Sequence, residues 1–145
     1  MNKSLSVVLG VGLALVFASA LYAGTLENQG KAWLDAQKDP AGVNVSGAWK
    51  SDIADVKLVQ AAGSRDVTGS GVSNEGYEYD LKGVVSGKTL YLLFVNRTST
   101  VDYCIVASSD SSNILSGYYQ NKISRLAFGN GLCDPRKYSL KWRKK

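Results

Sequence analysis

Short segments in which apolar and polar residues alternate fill most of the chain from Val43 onward. In the clearest of them, Tyr77–Val85, the charged residues Glu78, Asp80 and Lys82 lie on one face of the extended chain. The other face carries Tyr77, Tyr79, Leu81, Gly83 and Val85. A period of two residues is typical of a strand that is buried on one side. Turn residues recur about every ten positions, so the pattern predicts one hairpin after another.

Eight strands follow from this pattern. They span Val43–Lys50, Asp55–Gln60, Asp66–Val72, Tyr77–Val85, Thr89–Val95, Val101–Ala107, Ile114–Gln120 and Lys137–Arg143. Consecutive antiparallel strands form a meander, and its two free edges disappear only when the sheet closes on itself. We therefore predict an all-β fold, an eight-stranded antiparallel up-and-down barrel preceded by a short N-terminal helix or arm.

The first residues of the chain have the layout of a secretory signal peptide. Lys3 is followed by the apolar stretch Leu5–Phe17, and small residues then allow cleavage after Ala20 or Ala23. A charged start, an apolar middle and a small-residue end are the three parts of such a peptide. We assign residues 1–23 to it and expect a periplasmic or secreted protein.

One predicted strand needs cover on its outer face. Every residue of Leu90–Val95 is aliphatic or aromatic, so both faces of this strand are expected to be buried. Residues 24–42, the arm or short helix before the barrel domain at residues 43–145, could lie on that face. A homodimer through Leu90–Val95 is the alternative. We expect Trp33, in the arm, to pack over an end of the barrel.

Composition narrows the chemistry. The chain has no histidine, the commonest general base and metal ligand. No inward-facing carboxylate pair, nucleophile motif or nucleotide-binding fingerprint stands out, so we expect no enzymatic activity, no cofactor and no metal. Cys104 and Cys133 are the two cysteines, and in an oxidising compartment they predict a disulfide. This disulfide would close a loop of about 30 residues and would stabilise the fold by about 3 kcal/mol.

Positive charge is concentrated at the C-terminus. The net charge of the chain is +5, and the last ten residues contain Arg136, Lys137, Lys141, Arg143, Lys144 and Lys145. Such a cluster could meet an acidic partner, an anionic lipid or nucleic acid. Because nothing else in the sequence extends the cluster, a solvated strand face with a frayed tail is the simpler interpretation. We expect no nucleic acid as a partner.

Tyrosines are the candidate ligand-binding residues. Their rings are apolar and their hydroxyl groups polar, which suits a site for an amphipathic small molecule. The positions with the parity that we assign to the barrel interior are Tyr77, Tyr79, Tyr103, Tyr118 and Tyr138. The alternative is that these rings fill a solid core with their hydroxyl groups at its rim, since an eight-stranded barrel has little interior space.

Three short motifs resemble the calycins, the group of lipocalins and avidins. They are Gly47-Ala48-Trp49 at the first strand, Val67-Thr68-Gly69 one hairpin later, and Gly83-Val84-Val85-Ser86-Gly87 at a strand end. The resemblance spans roughly residues 43–143 and implies a ligand-binding barrel. In lipocalins an Arg from the last strand covers the first-strand Trp and closes the barrel floor. The resemblance thus implies a structural role for Gly47 and Trp49, with Arg143, or Arg136 in another register, as the cation.

The departures from the avidin pattern argue against biotin. Ser51 stands where avidins have the Asn that meets biotin, and Gly71 replaces an aromatic residue. Trp33 and Trp142, the other tryptophans, do not match the later avidin tryptophans. We expect an exported, non-catalytic binding protein for a small amphipathic or apolar ligand. The alternative is a protein-interaction module, such as an inhibitor or an envelope-assembly accessory, acting through loops or the apolar strand.

Overall fold

The computed structural model describes residues 26–98, 101–121 and 138–145. This part of the chain contains one helix, α1 (Leu26–Asp35), and eight strands. The strands are β1 (Gly47–Lys50), β2 (Ala54–Val59), β3 (Asp66–Ser73), β4 (Glu78–Ser86), β5 (Thr89–Val95), β6 (Val101–Ser111), β7 (Ile114–Asn121) and β8 (Tyr138–Lys144). The proposed signal peptide, residues 1–23, lies outside the described residues.

The strands form a closed antiparallel barrel in sequence order, β1 to β8, which confirms the predicted fold class. Each strand pairs with the next along the chain, and β8 returns to β1. The closing seam is the shortest one, since only Trp49 with Lys144 and Lys50 with Arg143 are paired there. Every other seam joins at least four residue pairs. Closure removes the free edges that an open meander would expose.

Side chains fill the middle of the barrel. Trp49, Phe94 and Trp142 are at most 1% exposed, and Phe94 stacks on Trp142 with ring centroids 6.3 Å apart. The indole nitrogen of Trp142 donates a hydrogen bond to the carbonyl of Ala54 across the seam between β8 and β1. Alternate residues of every strand contribute to this core, as the period of two predicts.

The first strand starts at Gly47, four residues later than predicted. In the segment before it, the side chain of Gln60 makes the hydrogen bonds that a neighbouring strand would otherwise make to the backbone. Gln60 is 5% exposed, and its amide oxygen accepts a hydrogen bond from the backbone of Val45. Its amide nitrogen donates to the carbonyls of Val43 and Ser64. All of these bonds are internal, so this buried polar group is satisfied without regular strand pairing.

Helix α1 covers the outer face of β5, one of the two alternatives that the apolar strand left open. Leu34 is buried in a cluster with Leu93, and the ring of Trp33 meets that of Tyr91 edge-on at 5.7 Å. Gly30 lies against the same face, where a Cβ would come within 2.6 Å of Leu93. Trp33 therefore lies on the barrel wall, and the expectation that it packs over an end was wrong. A homodimer through Leu90–Val95 stays a prediction that requires α1 to move aside.

The barrel floor is built on Trp49, as predicted, but its cation is a different residue. The ammonium of Lys144 lies 5.6 Å from the centre of the Trp49 ring. Arg143 is exposed on the outer face, so its predicted role as this cation was wrong. In the observed register Lys144 shares the inward parity of Trp142, and Arg143 has the opposite parity. The alternative cation, Arg136, lies outside the described residues.

Gly47 provides the space for this floor. Its φ is 138°, in the positive region that residues with a Cβ rarely adopt. A Cβ at this position would lie 2.7 Å from Cε of Lys144, whose side chain crosses Gly47 to reach Trp49. The Gly-x-Trp motif therefore has a local physical reason in this barrel.

Cys104 is fully buried beneath α1, in the outer cluster that contains Leu34 and Leu93. Its predicted disulfide partner, Cys133, lies outside the described residues, so the pairing stays a prediction. Among the helices that the structure describes, none is both long enough and apolar enough to cross a membrane.

Candidate functional site

A chain of tyrosine rings closes the other end of the barrel from Trp49. Tyr79 and Tyr103 meet edge-on at 5.8 Å, Tyr103 and Tyr119 lie 6.0 Å apart, and Tyr119 stacks on Tyr138 at 5.3 Å. The rings come from four strands, β4, β6, β7 and β8. We call this set of four side chains the tyrosine end. Phe94 lies directly beneath it, 5.4 Å from both Tyr79 and Tyr103.

Three of the five predicted tyrosines belong to this end. Tyr79 is 7% exposed, Tyr103 is half-buried, and Tyr138 is 41% exposed at the rim. Tyr77 has the inward parity but precedes β4, and it is 61% exposed beside the tyrosine end. The prediction that its side chain faces the interior was therefore wrong.

The prediction for Tyr118 was wrong by one residue. Tyr118 is 49% exposed on the outer wall, and its neighbour Tyr119 faces inward with Leu115. Apolar residues at both Ile114 and Leu115, followed by Ser116 and a glycine, leave the alternation of this strand ambiguous. The position of the β6–β7 turn decides between the two parities, and the bulge in β6 near Ser109 makes that position hard to predict.

A β-bulge brings a carboxylate to the tyrosine end. The register between β5 and β6 shifts after Phe94, which leaves Asp102 as the extra residue of β6. Bulges commonly turn a side chain away from the direction that the alternation would give it. Asp102 accepts a hydrogen bond from the Tyr79 hydroxyl, and a second one from the side-chain amide of Asn96 at 3.2 Å. No sequence signal identified Asp102, because bulges are set by strand pairing.

Burial and nearby carboxylates keep these phenols neutral. Burial, and next the hydrogen bond to Asp102, raise the pKa of Tyr79 far above its ordinary value. Burial and the charge of Glu75 raise the pKa of Tyr103. Burial, the neighbouring Tyr138 and the charge of Asp52 raise the pKa of Tyr119. At neutral pH the tyrosine end therefore offers apolar rings and neutral hydroxyl groups beside negative charge.

A shallow depression of about 560 Å³ opens beside this end. Its walls include Tyr77, Tyr79 and Asp102, together with Asn96 and Thr98 from the β5–β6 connection. Arg97, on the same connection, forms an exposed ion pair with Glu78. The depression offers an aromatic wall and a carboxylate, a combination that binds polar groups attached to an apolar body.

Ser51 has a structural role at the β1–β2 turn. Its hydroxyl donates to the carbonyl of Ala54 and accepts from the backbone amides of Ile53 and Ala54. Within the described residues, no group of three or more Cys, Asp or Glu side chains is placed to hold a metal ion.

Comparison with known proteins returns no relative. No family model matches the chain, and neither a curated protein nor a solved structure is significantly similar to it.

Proposed function

We propose that this chain is an exported, calycin-like binding protein that docks a partner protein at its tyrosine end and does not act as an enzyme. The packing of the barrel interior carries the proposal. Phe94 and Trp142 stack in the middle of the barrel, between the tyrosine end and the floor at Trp49, in the space that a small-molecule carrier uses for its ligand. Binding then takes place at the rim of the barrel, at the tyrosine end, as in a protein-interaction module.

The chemistry of the rim supports the same function. Tyrosine is enriched at protein interfaces because its ring buries a large area while its hydroxyl group still finds a partner. Tyr138 and Tyr77 present exposed rings, and Tyr103 lies half-buried between them and the core. Partly buried aromatic anchors surrounded by polar groups are the usual centre of binding energy in an interface.

A small amphipathic molecule is the second candidate. The depression of about 560 Å³ beside Tyr79 and Asp102 has the size of many ligand sites, which range over about 300–1,000 Å³. The proposal does not extend to biotin, since the Ser51 hydroxyl is already engaged in three hydrogen bonds of its own turn.

Photo-crosslinking in the native host tests the proposal. A benzophenone amino acid replaces Tyr138 at the tyrosine end or, as the control, Lys88, which is exposed in the turn between β4 and β5. We expect an adduct of protein size at position 138 and none at position 88. An adduct of a few hundred daltons at position 138 would favour the small-molecule candidate. Equal adducts at both positions, or none at 138, would contradict binding at this end.

Two substitutions of Tyr103 distinguish a contact made by its ring from a contact made by its hydroxyl group. Tyr103→Phe keeps the ring that contacts Tyr79 and Tyr119, whereas Tyr103→Leu removes it. If the ring provides the contact, Tyr103→Leu lowers the yield of the adduct at position 138 and Tyr103→Phe does not. A loss with both variants would assign the contact to the hydroxyl group.

A further inference from the structure

The outer wall of β8, β1 and β2 collects positive charge from distant parts of the sequence. We call the exposed cations of this wall, with Lys145 directly after β8, the basic face. They are Lys50, Lys57, Lys141, Arg143 and Lys145. Asp55 is the one carboxylate at the outward positions of these described strands, and it pairs with Lys145 at 3.1 Å. Asp52, exposed in the turn between β1 and β2, lines the same depression as Lys141. Five cations against these two carboxylates leave three net positive charges.

Closure of the barrel creates this face. In sequence, Lys141, Arg143 and Lys145 form a cluster that nothing extends. In the barrel, β8 meets β1, so that Lys50 lies directly opposite Arg143, and β2 adds Lys57 in the next strand. The interpretation of the C-terminal cluster as a solvated strand end depends on the absence of other cations near it in the sequence. In the folded barrel Lys50 and Lys57 lie next to the cluster, so that condition is not met.

Lys50 has a cation on one side and a carboxylate on the other, since Arg143 lies directly opposite it on β8 and Asp55 on β2. Like charges at directly opposite positions of neighbouring strands repel each other. The repulsion between Lys50 and Arg143 falls on the seam between β1 and β8, where the strand ladder joins only two residue pairs. A carboxylate at position 143 would face Lys50 and strengthen the same seam.

Exposed apolar residues border the basic face on both sides. On β7, Tyr118 is 49% exposed, and Ile114 lies opposite Arg143. On the far side, Val59 and Val72 are 58% and 48% exposed. Cations with neighbouring aromatic and aliphatic side chains are the composition of surfaces that lie in the headgroup region of a bilayer.

We propose that the basic face binds the surface of an anionic phospholipid bilayer. Lipid phosphates are mobile and can gather under a convex barrel wall, whereas an acidic protein would need carboxylates preset at the spacing of three strands. Each Lys or Arg near an anionic bilayer strengthens binding by about fivefold. This site is separate from the tyrosine end, and neither site depends on the other.

Vesicle co-sedimentation tests the proposal with the protein as isolated from its native host. Vesicles of phosphatidylcholine with about one third phosphatidylglycerol are compared with pure phosphatidylcholine vesicles, because the difference cancels any binding that does not depend on charge. We expect binding to the anionic vesicles only, and a marked loss in high salt. Equal binding to both kinds of vesicle would overturn the proposal.

Variants locate the effect on the molecule. Lys50→Gln with Arg143→Gln removes two cations from the basic face, and we expect binding about 25-fold weaker, from about fivefold per charge. Lys38→Gln with Lys82→Gln removes the same charge elsewhere on the exposed surface and is the matched control. Equal losses in the two double variants would overturn the proposal, since net charge alone would then explain the binding.

A third variant works in the opposite direction. Asp55→Asn removes the carboxylate that pairs with Lys145, and we expect tighter binding to the anionic vesicles. The double variant at the seam removes the repulsion between Lys50 and Arg143 together with the attraction between Lys50 and Asp55, so its thermal unfolding midpoint should stay close to that of the wild type. Tighter binding of the wild type to a DNA duplex than to the vesicles at the same salt would identify nucleic acid as the partner and overturn the bilayer proposal.

Discussion

The two ends of the barrel use aromatic side chains in opposite ways. At the floor, Trp49 is 1% exposed, its indole nitrogen donates to the carbonyl of Val45 at 2.9 Å, and Lys144 covers its ring. At the tyrosine end, Tyr138 is 41% exposed, and the rings below it lie near carboxylates. Full burial with every polar atom paired gives stability. Partial burial with polar groups at the rim leaves surface available for a partner.

The largest expected difference between the two ends is in stability. Trp49→Ala removes a fully buried ring and should lower the free energy of unfolding by about 3–5 kcal/mol. Tyr138→Ala, at the rim, should lower it by less than about 1 kcal/mol. Urea unfolding followed by far-UV circular dichroism measures both. If Trp49→Ala unfolded at the wild-type urea concentration, Trp49 would not support the floor.

Alkaline pH should weaken the tyrosine end. The pKa values of Tyr79, Tyr103 and Tyr119 are raised by burial, so the folded state holds their protons more tightly than the unfolded chain. The resulting stabilisation is fully present below the unfolded pKa of about 10 and is lost as pH rises from there through the folded values. Urea titrations at neutral and alkaline pH should show this decline.

Tyr79→Phe should reduce the alkaline loss of stability. At neutral pH the same change removes the hydrogen bond to Asp102 and should cost about 1 kcal/mol. Tyr77→Phe, at a ring that is 61% exposed, is the control and should follow the wild type at both pH values. An alkaline decline of equal size in all three proteins would show that other groups cause it.

The smallest expected effect distinguishes the two cations at the end of β8. Lys144→Met keeps the aliphatic chain but removes the charge over Trp49, and should cost about 0.5–1 kcal/mol. Arg143→Met removes a cation that faces Lys50 and should leave stability unchanged or slightly higher. The reverse order in urea unfolding would return the floor to Arg143 and place β8 in a different register.

Much of the fold could be predicted from local patterns. Alternation and turn residues predicted eight strands, and most of the described boundaries lie within a residue or two of the prediction. The exceptions have specific causes. The segment before Gly47 pairs through the Gln60 side chain, and β6 continues through a bulge to Ser111. Neither a side chain that replaces a ladder nor a bulge leaves a period in the sequence.

Less of the candidate site could be predicted. Tyr79, Tyr103 and Tyr138 follow from parity, but Tyr119 and Asp102 do not. The parity of a short strand with apolar residues on both faces depends on its pairing with neighbours, and a shift of one residue reverses every side chain. The direction of Asp102 depends on an irregularity in the pairing of β5 with β6, which the pattern of either strand alone does not contain.

By itself, the sequence determined which segments are strands, since a period of two residues is a local property, and the run of consecutive hairpins predicted a barrel closed in chain order. Only the tertiary structure decided that Lys144 and not Arg143 covers Trp49, that Tyr119 and not Tyr118 faces inward, and that Lys50 lies beside Arg143. All three depend on register. Register is set by closure of the whole sheet, through contacts between residues far apart in the chain.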